Sequence, residues 1–206
     1  MPIQDAQHNG YFIQEVIPLL LQTDRLLLRQ YTPDDFDRLY EILSDPETMK
    51  HYPKPYDEKG VKAWIQWSLD NYAVFGFGLW AVVLKETGVM IGDCGITMQP
   101  INKKIRPEIG YHIHKDYQRR GYATEAAARC IDFAFENTTF GTLFSYMKYT
   151  NIASYTVAMK NGMHFVEEYA DPEDTFTRVY AITRDEWKAR RQRGYSVLIY
   201  KTDGRA

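Results

Sequence analysis

Apolar residues along this chain recur with two different periods, and the switches between them divide it into elements. The run 25–30 reads as a strand. Thr32 before Pro33-Asp34-Asp35 then supplies an N-cap, a proline at the first helical position and acidic first-turn residues, which predicts a helix to about Ser44. From Glu58 to about Ala73, Val61, Trp64, Ile65 and Leu69 keep helical spacing until Phe75-Gly76-Phe77-Gly78 breaks it. Apolar runs at Leu79 to Leu84 and Val89 to Met98 flank Lys85-Glu86-Thr87-Gly88, which reads as a hairpin turn. Asn102-Lys103-Lys104 makes another turn. The stretch 105–114 then alternates, with Ile109, Tyr111 and Ile113 on one face and Glu108, Gly110, His112 and His114 on the other.

A helix from Gly121 to about Asn137 carries Ala123, Ala127, Cys130, Ile131 and Ala134 as a small-residue stripe suited to close packing on a sheet. Leu143 to Tyr149 reads as a strand, Asn151 caps a helix that Gly162 stops, and 165–169 with 176–182 form a final antiparallel pair. Helices interspersed with meander strands predict an α/β fold, a mixed and mostly antiparallel twisted sheet of about seven strands with helices on both faces. The 206 residues fit one domain, 23–206, preceded by an arm at 1–22 that mixes polar residues with Tyr11, Phe12 and Ile13.

Charge narrows the function. Lys plus Arg total 25 against 27 acidic residues, so no global field draws the chain to nucleic acid or an anionic membrane, and phosphate binding has to be local. Cys94 and Cys130 form no close sequence pair and no CxxC, which argues against a disulfide framework or zinc site and fits a reducing cytoplasm. The apolar stretch at Ile17 to Leu21 is too short to span a bilayer and lacks the layout of a secretory signal, so a soluble, unprocessed protein with no membrane partner is expected.

The segment Tyr117-Gln118-Arg119-Arg120-Gly121-Tyr122-Ala123-Thr124-Glu125 lies between a strand and a strong helix. A helix N-terminus offers unpaired N–H groups and partial positive charge, Gly121 and Ala123 leave room for an anion, and Arg119 and Arg120 add full charges. A basic turn before an ordinary helix accounts for the same residues. A P-loop would need GxxxxGKS/T and a dinucleotide fold GxGxxG within a βαβ unit, and neither is present. Asn151-Ile152-Ala153-Ser154, Val157 and Lys160-Asn161-Gly162-Met163 also follow a strand, and an N-cap with a helix stop explains them structurally.

Together the two segments resemble the GCN5-related N-acetyltransferase (GNAT) superfamily, closest to its ribosomal-protein N-terminal acetyltransferase (RimJ/RimL-like) branch. Gln118 to Ala123 match the Q/R-x-x-G-x-G/A signature, and 151–163 match the second motif. Thr23 to Arg29, Gly78 to Val82, Ile91 to Gly95 and Glu108 to Tyr111 are similar to the same branch, so the resemblance spans about Thr23 to Ile182. It implies acetyl-CoA as cofactor, a sheet opening between the strands near 105–114 and 143–149, and direct attack by an amine within a ternary complex. It further implies cofactor contacts from Ile113, Gln118, Arg119, Arg120, Gly121, Tyr122, Ala123, Thr124, Asn151 and Ser154. The acceptor is then a protein N-terminal amine or a small-molecule amine, and a homodimer is compatible with the resemblance.

Amine attack requires a proton acceptor and a proton donor for the leaving thiolate. Glu108 shares a strand face with His112 and becomes the catalytic base if that face lines the acceptor cleft; a surface carboxylate is the plain alternative. The superfamily often places a Tyr where this chain has Ala158, and the resembled branch uses a Ser at Ser154, which makes Ser154 the candidate donor. A non-catalytic acyl-CoA-binding module or sensor is the alternative that the missing Tyr supports. His112 and His114 lack a third ligand at useful spacing, so no metal site is expected. Trp64, Trp67, Tyr72, Phe75 and Phe77 crowd the region where the superfamily places its acceptor cleft and read mostly as core, and Lys188, Arg190, Arg191 and Arg193 read as a solvated helix face.

Overall fold

The computed structural model describes residues 20–170 and 175–193. Its elements run β1 (Leu20–Gln22), β2 (Leu26–Arg29), α1 (Phe36–Leu43), α2 (Glu58–Phe75), β3 (Leu79–Leu84), β4 (Met90–Ile101), β5 (Lys104–Ile113), α3 (Tyr122–Asn137), β6 (Thr142–Lys148), α4 (Ile152–Lys160), β7 (His164–Ala170), β8 (Phe176–Thr183) and α5 (Arg184–Gln192), with 3-10 turns at Pro33–Asp35 and Lys115–Tyr117. The strands form one sheet in the order β1-β2-β3-β4-β5-β6-β8-β7. Every pairing is antiparallel except β5 with β6. The predicted mixed, mostly antiparallel sheet is therefore what forms. It has eight strands among the described residues rather than about seven, because Leu20–Gln22, read as the end of an arm, pairs with β2 at the edge. Three residues are too few to display a period. The rest of that arm lies outside the described residues.

Local chemistry sets the element ends. The Asp57 side chain accepts from the Gly60 amide at 2.8 Å to open α2, which Gly76 closes at φ 75°. Asn102 and Lys103 both take positive φ, 46° and 62°, the two-residue mirror-image turn that matches the twist of a hairpin. Its tightness pins the long β4–β5 register from Ile101 against Lys104 to Gly92 against Ile113. The final helix, which the hydrophobic pattern did not add to the core, starts at a Thr183–Glu186 capping box and leans on α3: Trp187 Nε1 donates to Asp132 at 2.7 Å, and Arg191 pairs with Glu136. The basic run on α5 is thus partly docked rather than wholly solvated.

Helices cover both faces. β3 is buried at all six positions and divides its side chains by parity: Trp80, Val82 and Leu84 join the core under α3, while Leu79, Ala81 and Val83 join the core under α1 and α2. The small stripe on α3 lets that helix come close, and Cys130 Sγ lies 3.6 Å from Cys94 Sγ of β4. This close seat aims the head of α3 at the C-terminal end of β5.

β5 and β6 are paired through Glu108 and Phe144. Past that point the two strands run on, to Ile113 and Lys148, without further pairing. A parallel pair that separates leaves a wedge between layers, and it begins at Glu108.

Candidate active site

The head of α3 presents a row of backbone amides. Gly121 is its N-cap at φ 85°, Arg119 also takes positive φ at 60°, and Arg120 between them does not. Alternating handedness turns successive N–H groups to one side, the concave arrangement that holds anions. No acceptor among the described residues meets the amides of residues 119 to 124, and no side chain caps the helix. Gln118 turns back instead, with Nε2 donating to the Ile113 carbonyl at 2.9 Å, which ties the loop to the end of β5.

A clamp that the sequence did not reveal holds this loop in place. Glu125, in the first turn of α3, accepts from Thr23 Oγ1 at 2.6 Å, from the Arg25 amide at 3.0 Å and from Arg25 Nε at 2.7 Å. Arg25 Nη1 also donates to the Arg120 carbonyl at 3.1 Å, and its guanidinium stacks over the Tyr122 ring at 4.4 Å. Glu125 and Arg25 neutralise each other, so the attraction for an anion comes from the free amides and the Arg119 and Arg120 charges.

Across the wedge, Asn151 performs the structural work that its spacing suggested: its Oδ1 accepts from the Ser154 amide at 3.1 Å and caps α4. Ser154 meets Tyr111 of β5, whose hydroxyl donates to the Ser154 carbonyl at 2.7 Å and lies 3.1 Å from Ser154 Oγ. The sequence alternation places Tyr111 with Ile109 and Ile113 on the face opposite Glu108. Ala158 is buried in the core at 2% exposure.

Glu108 and His112 share one face of β5, as the alternation predicts, and line a cavity of about 450 Å³ with Tyr52, Tyr56, Trp64 and Trp67. Thr97 Oγ1 donates to Glu108 Oε2 at 3.0 Å. Burial disfavours the carboxylate and pushes its pKa up to about 7, against the smaller opposing effects of the Thr97 bond and of His112. Glu108 is therefore not the surface carboxylate of the plain alternative. Of the crowded aromatics, Trp64 and Trp67 line this cavity, Tyr72 and Phe77 are core, and Phe75 is exposed.

Asp93 organises the wall behind His112. It is wholly buried on β4 and accepts from Tyr31 Oη at 2.9 Å, Trp64 Nε1 at 3.0 Å, the His112 amide at 3.1 Å and His112 Nδ1 at 2.8 Å. An ionised carboxylate only accepts, so His112 carries its proton on Nδ1, and Nε2 meets the Tyr52 hydroxyl at 2.6 Å. Burial works against the imidazolium, yet the Asp93 charge and hydrogen bond, with Glu108 behind them, raise the His112 pKa. The sequence carried one signal of this, an Asp inside the apolar run Met90-Ile91-Gly92-Asp93-Cys94-Gly95-Ile96. His114 does not join its neighbour on that face: β5 ends at Ile113, and His114 Nδ1 accepts from the Asp116 amide at 3.2 Å in the following 3-10 turn.

Asp93→Asn should cost about 3 kcal/mol, because the amide keeps one acceptor oxygen for two of these donors, turns an NH2 group on the other two and cannot balance the imidazolium. The sign with pH is definite. A histidine whose folded pKa is raised adds stability below its ordinary value of 6.5 and loses it as pH climbs through the raised value. Chemical denaturation at pH 6 and pH 9 should show the variant's deficit shrinking at the higher pH.

Comparison with known proteins agrees with this geometry. Residues 25–164 match the family described as acetyltransferase (GNAT) domain. The uncharacterized protein YkkB of Bacillus subtilis is 36% identical over 146 residues, covering 70% of this chain and 85% of YkkB. A crystal structure of an acetyltransferase from Agrobacterium tumefaciens superposes with a TM-score of 0.69 at 31% identity, covering 86% of this chain and 99% of that one. The structure of RimL, a ribosomal-protein acetyltransferase in complex with coenzyme A, superposes with a TM-score of 0.68 at 16% identity, covering 82% and 99%. The chain belongs to the GNAT acetyltransferase family, whose enzymes transfer an acetyl group from acetyl-CoA to an amine.

Proposed function

We propose that this protein transfers an acetyl group from acetyl-CoA to a primary amine by direct attack in a ternary complex. The observation that carries the proposal is the row of unpaired amides at residues 119 to 124, set beside a wedge whose floor is Glu108. The amides of Arg119, Arg120, Gly121, Tyr122, Ala123 and Thr124 would hold the pyrophosphate, with the two arginines adding charge and Gln118 keeping the loop against Ile113. The pantetheine arm would run between β5 and β6 past Ile113, Asn151 and Ser154, where the two strands part.

Bound acetyl-CoA supplies an activated acyl group as its thioester. Glu108 receives the ammonium group and takes its proton, directly or through water; a carboxylate with a pKa near 7 holds that proton and releases it again at neutral pH. Ser154 Oγ, whose hydrogen is left to point at the Tyr111 oxygen once Tyr111 donates to the Ser154 carbonyl, would turn that hydrogen to the departing sulfur. Ser154→Ala should lower kcat by no more than about tenfold, because a thiolate is a good leaving group without much help. Steady-state kinetics at saturating acetyl-CoA would measure it.

The test of the proposal is calorimetric titration with acetyl-CoA, followed by thiol release with a panel of primary amines. Saturable binding with amine-dependent release supports it. No binding sinks it, and binding without release for any amine would favour the non-catalytic acyl-CoA-binding module.

A further inference from the structure

The cavity around Glu108 has an unusual distribution of hydrogen-bonding capacity. Tyr52, Tyr56, Trp64, Trp67 and His112 form a continuous wall of rings, with neighbouring centroids 5.4 to 6.4 Å apart. Several polar atoms of that wall are already spent on one another: Trp64 Nε1 and His112 Nδ1 on Asp93, and the Tyr52 hydroxyl on His112 Nε2. Thr97 is engaged with Glu108 and Gln99, and the Asn151 carbonyl oxygen with the Ser154 amide. What the wall presents is chiefly ring surface. Among the described residues lining the cavity Glu108 is the one carboxylate, while Lys148 of β6 brings a positive charge.

We propose, resting on the acetyl-transfer function above, that the acceptor is a primary monoamine carried on a flat apolar body, an arylalkylamine. Ring surface beside a single carboxylate suits such a molecule. The ammonium meets Glu108 and the electron-rich faces of the rings, and the apolar body stacks on the indoles. A peptide N-terminus carries polar backbone directly behind its ammonium and so offers the indoles of Trp64 and Trp67 less apolar surface to stack on. A polyamine would bring a second cation into a cavity where, among the described lining residues, no carboxylate besides Glu108 would receive it. The volume of about 450 Å³ lies within the range of small-molecule sites.

The experiment compares kcat/KM for 2-phenylethylamine, spermidine and a short peptide with a free N-terminal serine, using the full chain and acetyl-CoA with thiol release as the readout. The arylalkylamine should lead both others by about 30-fold or more. Trp67→Ala and the bulkier, apolar Trp67→Leu should each lower its kcat/KM about tenfold or more, with the acetyl-CoA affinity unchanged by calorimetry. Preferred acetylation of the peptide or of spermidine overturns the acceptor class and leaves acetyl transfer standing. If acetyl-CoA binds and no amine turns over, the transfer function fails, and the acceptor class is then judged by tryptophan fluorescence on titration with 2-phenylethylamine. Saturable quenching that is weakened in Trp67→Leu would support it, and unchanged fluorescence would overturn it.

Discussion

Gly121→Glu should leave a folded protein that no longer binds acetyl-CoA, with at least about a hundredfold loss of affinity. Gly121 stands at the head of α3 at φ 85°, beside amides that no other group among the described residues serves. A carboxylate there would occupy the anion site or repel the incoming pyrophosphate, and both effects act over a few ångströms. Folding should survive. A non-glycine residue in the left-handed region costs about 1–2 kcal/mol against a typical total of about 5–15. An added Cβ would lie 3.4 Å from Arg25 Nη2, the end of a flexible side chain. Gly121→Ala is the control for backbone strain, since it carries the same Cβ without the charge and should retain most of the affinity. Calorimetry with circular dichroism on both variants decides the matter, and wild-type affinity in Gly121→Glu would remove the pyrophosphate assignment.

Glu108→Gln should lower kcat/KM by about 10²–10⁴ while acetyl-CoA binding stays as in wild type, because the amide keeps the shape but cannot take a proton. The pH profile separates a base from a scaffold. Activity of wild type should rise through about pH 7, where Glu108 loses its proton, and that limb should vanish in the variant. Stability moves the opposite way. The folded carboxyl holds its proton to about 7 against an ordinary 4.5, so wild type binds more protons folded than unfolded across that window and loses stability as pH rises through it. Glu108→Gln does not titrate, and its stability relative to wild type should therefore improve from pH 4.5 to pH 8. A kcat/KM profile in the variant that keeps the limb would place the base elsewhere.

Much of this architecture was legible because it depends on neighbours along the chain. Helical spacing marked α2 and α3, strict alternation put Glu108 and His112 on one face of β5, and Asn151 announced itself as a cap. The edge strand β1 and the helix α5 were harder, since three residues show no period and a strongly charged helix shows little apolar stripe. His114 was misplaced by one step. Alternation ends where the strand ends, and the turn after Ile113 depends on contacts rather than on parity.

The sequence by itself determined the order of elements from β2 to β8, the turn before α3 and the shared face of Glu108 and His112, because periods, caps and positive-φ turns act within a few residues. Only the tertiary structure decided what those residues could do. The clamp of Arg25 on Glu125 spans 100 positions, and the contact of Tyr52 with His112 spans 60. The role of Asp93 depends on donors brought from Tyr31, Trp64 and His112. Burial and the pKa values that follow from it belong to packing, so the Glu108 carboxyl, a candidate base in the sequence, comes to be poised near neutrality only once the fold buries it.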